Sequence, residues 1–68
     1  MKISARNALP GTIVDIKKGA TTSHVVVDVN GIKITAAITN EAVDDLGLKV
    51  GGAATAIVKS SDVMIAVA

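Results

Sequence analysis

The chain has 68 residues, no cysteine, no Phe, Tyr or Trp, and a formal net charge of +1. A single domain over residues 1–68 is expected, with no disulfide, no thiolate metal site and no strong field to attract nucleic acid or anionic lipid. Half of the residues are apolar, but the rings that contribute most buried area are missing, so self-association is the stabiliser left for a core this small.

No stretch approaches the apolar length that spans a bilayer. Lys2 is not followed by the apolar run of a secretory signal. A soluble cytoplasmic protein is therefore the default expectation.

In chain order, Ser4-Ala5-Arg6-Asn7 comes first. In an extended segment Ser4 and Arg6 share a face, and their side chains, with the Ala5 and Arg6 N–H groups, are hydrogen-bond donors. Pro10-Gly11 opens the first predicted strand, Gly11 to Lys17, with Thr12, Val14 and Ile16 on one face and Ile13, Asp15 and Lys17 on the other. Lys18 to Ser23 is small and polar and reads as a loop. His24 to Val29 is the clearest strand, Val25, Val27 and Val29 alternating with His24, Val26 and Asp28. Asn30-Gly31 then signals a two-residue type I′ hairpin, and the return strand aligns Ile32, Ile34, Ala36 and Ile38.

After Ile38 the period changes. Thr39-Asn40 offers an N-cap, Glu41 suits a first helical turn, Val43 and Leu46 share a face, and Gly47 sits at the C′ position. Gly51-Gly52 leads into a strand from Ala53 to Lys59, Ser60-Ser61-Asp62 makes a turn, and Val63 to Val67 forms a last strand. The expected fold is all-β: a small OB-like five-stranded antiparallel barrel with one short helix between strands 3 and 4. Ile13, Val26, Ala37, Ile57 and Met64 fall on faces assigned to solvent. Such a surface calls for a partner, and a symmetric homo-oligomer is the commonest one.

Catalysis is poorly supplied. Ser23 and the only histidine, His24, are adjacent and so point to opposite faces, and no nucleophile–base–orienter set can be assembled. Asp15, Asp28, Asp44 and Asp45 have no reason in the sequence to pair as metal ligands or as an acid–base couple. Nucleic-acid binding, common for small OB barrels, needs a basic groove with stacking rings, which seven basic against six acidic residues and no aromatic ring do not supply. What remains is donors. Ser4, Ala5 and Arg6 form one cluster, and Lys59, Ser60 and Ser61 form a second, at a turn whose free N–H groups suit an anion.

Ser-Ala-Arg-Asn near the start and Lys-Ser-Ser-Asp-Val-Met near the end resemble the molbindins, the small Mop-type molybdate-binding proteins. Asn-Gly, the Thr-Asn-Glu helix start and Leu-Gly-Leu-Lys-Val-Gly are also similar to that family. The resemblance spans essentially the whole chain. It implies an OB-like fold in homo-oligomers, typically hexamers built as trimers of dimers. It also implies oxyanion sites between subunits that hold molybdate or tungstate for storage and homeostasis, without an organic cofactor or a cationic metal. By position, Ser4, Ala5, Arg6, Lys59, Ser60 and Ser61 match the main site, and Ala20, Thr21, Thr22 and Ser23 a second one.

The physics agrees. Molybdate is a tetrahedral dianion whose four oxygens only accept, so a pocket of donors suits it, whereas monohydrogen phosphate carries an O–H that needs an acceptor. The alternatives are a general sulfate or phosphate module, and a structural or regulatory oligomerisation domain of the kind attached to transcription regulators or transporter ATPases. The lack of any such attached segment in the chain weighs against the second. Arg6 and Lys59 are expected to reach one oxyanion, from neighbouring subunits.

Overall fold

A computed structural model describes residues 2–68. Its elements are β1 (Asn7–Lys18), β2 (Thr22–Val29), β3 (Ile32–Thr39), α1 (Asn40–Asp45), β4 (Ala53–Val58) and a 3-10 turn over Ser60–Asp62. The strands form one antiparallel sheet in the order β3-β2-β1-β4. It curls until β4 approaches β2, as half of an OB-like barrel. Two turns are made by the residues read for them. Asn30 and Gly31 have φ of 51° and 89°, and Gly47 has φ of 63°. At Gly47 the helix ends in a Schellman motif, with Leu48 N–H on Val43 O and Gly47 N–H on Asp44 O, both at 3.1 Å.

The first strand starts earlier than expected, at Asn7 rather than Gly11. Pro10 is tolerated inside it because β1 up to Gly11 is paired only with β4, and β2 joins from Thr12 onward. One side of the strand is open there, and a missing N–H costs nothing. Gly11 is needed where three strands meet. A Cβ at this position would lie 2.3 Å from Asp28 O and 2.9 Å from Val27 Cγ1.

Val14 is an extra residue in β1. Ile13 pairs with Val27 and Asp15 with Val26, a β-bulge that shifts the phase of the strand. The faces read from strict alternation are therefore wrong before the bulge. Ile13, assigned to solvent, is the most buried apolar residue at 1 % exposure, and Val14, assigned inward, is 40 % exposed. The Gly51-Gly52 turn fixes the bulge, Ile13 N–H donating to Gly52 O at 2.9 Å and Gly51 N–H to Ile13 O at 2.8 Å. Ile13 then joins Val25, Val27 and Val43 in the core, flanked by Ile16, Val29, Ile38, Leu48 and Ala54. Leu46, expected to share the buried face of Val43, is instead exposed as the C-cap of α1. The helix is too short to bring a second turn onto the sheet.

The fifth strand does not form within the chain. Residues Val63 to Ala68 pair with no strand and are exposed throughout. A tight hairpin back onto β4 would need a primed turn with positive φ. Ser60–Asp62 instead make a right-handed 3-10 turn, closed by Asp62 N–H on Lys59 O at 2.9 Å.

The bulge makes a sharp prediction for thermal or urea unfolding. Ile13→Ala should destabilise by about 2–4 kcal/mol, whereas Val14→Ala should cost less than about 0.5 kcal/mol. Gly11→Ala should cost about 1–3 kcal/mol, because a backbone carbonyl must move to admit the methyl group.

Candidate functional site

The β1–β4 ladder joins the two donor clusters. Its last pair is Asn7 with Val58, and the Asn7 side chain reinforces it, Nδ2 donating to Val58 O at 3.1 Å. The next residues outward are Arg6 on one strand and Lys59 on the other. Ser4 and Ala5 continue the first side, while Ser60 and Ser61 turn away from the second in the 3-10 turn. Residues more than fifty apart in sequence thus flank one end of one ladder within a single chain. Ala5 is half-buried, and Ser4, Arg6, Lys59, Ser60 and Ser61 are exposed.

The charge at this end is uncompensated. Among the described residues the ion pairs are Lys18 with Asp44, at 2.9 Å, and Lys33 with Asp28, at 3.3 Å. Arg6 and Lys59 take part in neither, and Asp62, although three residues from Lys59, does not pair with it. No side-chain hydrogen bond among the described residues uses Ser4, Ser60 or Ser61. Two cations and three hydroxyls are therefore free to donate, and a doubly charged acceptor would relieve the repulsion between the cations.

The second stretch is built differently from the expected loop. β2 begins at Thr22, so only Gly19, Ala20 and Thr21 lie between the strands. Ser23 is not in a loop at all. It is fully buried, and its hydroxyl donates to Asn40 Oδ1. Ala20, Thr21 and Thr22 remain exposed. Beside them Lys17 and His24 face each other across β1 and β2 and line a shallow depression with Lys18, Gly19 and Thr22.

The sequence suggests for Asn40 only a share in an N-cap. The cap is Thr39, whose Oγ1 accepts from Ala42 N–H at 3.1 Å. This leaves the Asn40 side chain to act on a segment twenty residues earlier in the chain. No local pattern could have revealed that contact.

An apolar groove of about 490 Å³ lies elsewhere. It runs between β3 and β4, lined by Ile34, Ile38, Leu48, Ala54, Ile57 and Val58 among others. An apolar wall offers a dianion nothing in exchange for its hydration, so this groove is not the oxyanion site. Among the described residues no three His, Asp or Glu side chains gather as a metal site.

Comparison with known proteins covers nearly the whole chain. Residues 3–65 match the model of the TOBE domain family. The chain is 52% identical over 66 residues to molybdenum-pterin-binding protein 2 of Clostridium pasteurianum, covering 96% of this chain and 97% of that one. Its fold is similar to that of a molybdate-binding protein from Sporomusa ovata, with a TM-score of 0.93 and 41% identity over 97% of this chain and 98% of the other. It is also similar to the cytoplasmic molybdate-binding protein ModG with molybdate bound, with a TM-score of 0.90 and 43% identity, spanning 94% of this chain but 46% of ModG.

Proposed function

The chain belongs to the TOBE domain family, and from that premise we propose that it is a non-enzymatic binder of molybdate and tungstate that stores these ions and buffers their supply. The observation that carries this reading is the end of the β1–β4 ladder. Arg6 and Lys59, with Ser4, Ser60, Ser61 and the Ala5 N–H, form a set of donors, and among the described residues no carboxylate pairs with either cation. The relatives that bind molybdate or molybdenum-pterin support the choice of ion. A bare oxyanion fits better than a pterin, since the chain has no Phe, Tyr or Trp to stack on such a ring. The turn at Ala20, Thr21 and Thr22, backed by Ser23, is the second oxyanion site. The description of ModG as cytoplasmic supports the same compartment here.

The protein works as a homo-oligomer, and a hexamer built as a trimer of dimers suits the family. Its surface supports association. A folded monomer of this mass exposes about 4,000 Å², whereas this chain exposes 5210 Å². Its radius of gyration of 12.6 Å also exceeds the roughly 11 Å of a compact chain of this length. The excess lies in the tail, where Met64, Ile65 and Val67 are 91 %, 87 % and 92 % exposed. It lies also in the apolar groove between the free edges of β3 and β4. The tail of one copy supplies to a second copy the fifth strand that its sequence encodes, closing the half-barrel. An exposed ion site at the ladder end becomes a shielded one when subunits meet there, and shielding is what makes its hydrogen bonds strong.

Three measurements test the reading. In calorimetry at fixed ionic strength, Arg6→Ala and Lys59→Ala should each weaken molybdate binding about 10- to 100-fold, the equivalent of one charge-assisted hydrogen bond. Lys33→Ala and Lys49→Ala should change it less than about twofold, and equal losses in all four would reduce binding to diffuse electrostatics. Tungstate should compete closely with molybdate, and phosphate far more weakly near neutral pH; phosphate binding as tight as molybdate would mean that an acceptor lines the site. Sedimentation at micromolar concentration should show a multimer that Ile65→Asp dissociates. A stable monomer carrying the full affinity would overturn the shielded, intersubunit site.

A further inference from the structure

The Asn40 side chain reaches the β1–β2 turn with both of its ends. Its Nδ2 donates to Gly19 O at 3.0 Å and to Ala20 O at 3.3 Å, and its Oδ1 accepts from the buried Ser23 hydroxyl. The Asn40 backbone N–H donates to Thr21 O at 2.9 Å, and the Gly19 N–H to Thr22 O at 2.8 Å. Every carbonyl from residue 19 to residue 22 is thereby held by a donor of the protein itself. The opposite side of the turn is in the reverse condition. The N–H groups of Ala20 and Thr21 donate to no backbone carbonyl among the described residues, and at the base of the same turn the exposed Thr22, Lys17 and His24 line a depression with Lys18 and Gly19.

From this arrangement we infer that Asn40 is a positioning and specificity residue for the second oxyanion site. By occupying the carbonyls of the turn it leaves only donors for a ligand to meet. The inference rests on the proposed second site at residues 20–23 and deepens it. A peptide turn normally presents both N–H and C=O groups, and a carbonyl facing an oxyanion repels it. A turn whose carbonyls are all engaged on its inner side presents a positive surface instead, which fits a tetrahedral ion that only accepts and disfavours one that carries an O–H. Asn can do this where most residues cannot, because one amide supplies two donors and an acceptor at once. Ser23 orients it. With its hydroxyl donating to Oδ1, the amide must turn its NH₂ group toward the turn. The same bond explains why a polar residue is fully buried at the start of β2.

The test uses the full chain in its native assembly, with molybdate and inorganic phosphate as probes. Equilibrium titration of the wild type should resolve two classes of molybdate site, one of them weakened about 10- to 100-fold by Arg6→Ala. Asn40→Leu should weaken the other class at least about tenfold, while the Arg6-dependent class keeps its affinity within about twofold. At the weakened site the preference for molybdate over phosphate should fall, because freed carbonyls accept from the phosphate O–H. Ser23→Ala should produce a smaller shift in the same direction. Sedimentation of each variant keeps loss of assembly separate from loss of the site. Two classes that both survive Asn40→Leu with unchanged selectivity would overturn the role of Asn40 while sparing the second site. An equal loss for molybdate and phosphate would reduce Asn40 to a structural support and overturn its role in specificity. A single class in the wild type, weakened as a whole by Arg6→Ala, would overturn the second site itself and this inference with it.

Discussion

The pairing of β1 with β4 is the constraint on which the rest of the molecule depends. Like β2, β1 has strands on both sides, but it divides that work along its length, facing β4 first and β2 later. The point of exchange is crowded. Gly11 passes against the backbone of Asp28, and the Val14 bulge turns Ile13 inward where the Gly51-Gly52 turn grips its backbone. The same ladder that builds the core ends in the Asn7–Val58 pair. The core and the proposed ion site are thus two ends of one hydrogen-bonded ribbon, and the placement of Arg6 and Lys59 follows from the ladder that builds the core.

At both candidate sites the chemistry is one of subtraction. Among the described residues Arg6 and Lys59 take part in no ion pair, which leaves their positive charge for a ligand to neutralise. At the β1–β2 turn the carbonyls are withdrawn by Asn40 and the N–H groups remain. Recognition of a molybdate-like ion needs no exotic side chain, only the removal of acceptors from places where a polypeptide would ordinarily display them. A chain with no cysteine, no aromatic ring and a net charge of +1 can therefore be a selective anion binder. The selectivity lies in local arrangement, not in overall charge.

A core of four buried apolar side chains among the described residues is small for an independent domain. The apolar groove, the free strand edges and the exposed tail are complementary deficits, and in the proposed assembly a second copy would satisfy all three. Binding and assembly are coupled on this view. In the proposed assembly a dianion at the ladder end would offset the repulsion of clustered cations, and neighbouring subunits would exclude the water that otherwise weakens each bond.

Much of this was legible in the residues. The strand order of events, the Asn30-Gly31 hairpin, the Thr39 cap and the Gly47 terminus are local matters of φ preference and side-chain hydrogen bonding, and they form as read. So do the alternating faces of β2 and β3, because a regular strand obeys a period of two. The two donor clusters could be named from residue type and resemblance. What the sequence could not reveal depends on contacts between distant segments. The bulge at Val14 reversed the faces of β1 because register is set by the partner strands. The position of Arg6 beside Lys59 follows from the register of β1 with β4, and Asn40 acts across twenty residues on a turn it does not adjoin. The apolar strand at residues 63–67 was encoded, but an edge to pair with is not a property of the segment itself. Local preference determined which elements exist; only tertiary structure decided which groups meet, since a hydrogen bond needs two partners and the sequence names one at a time.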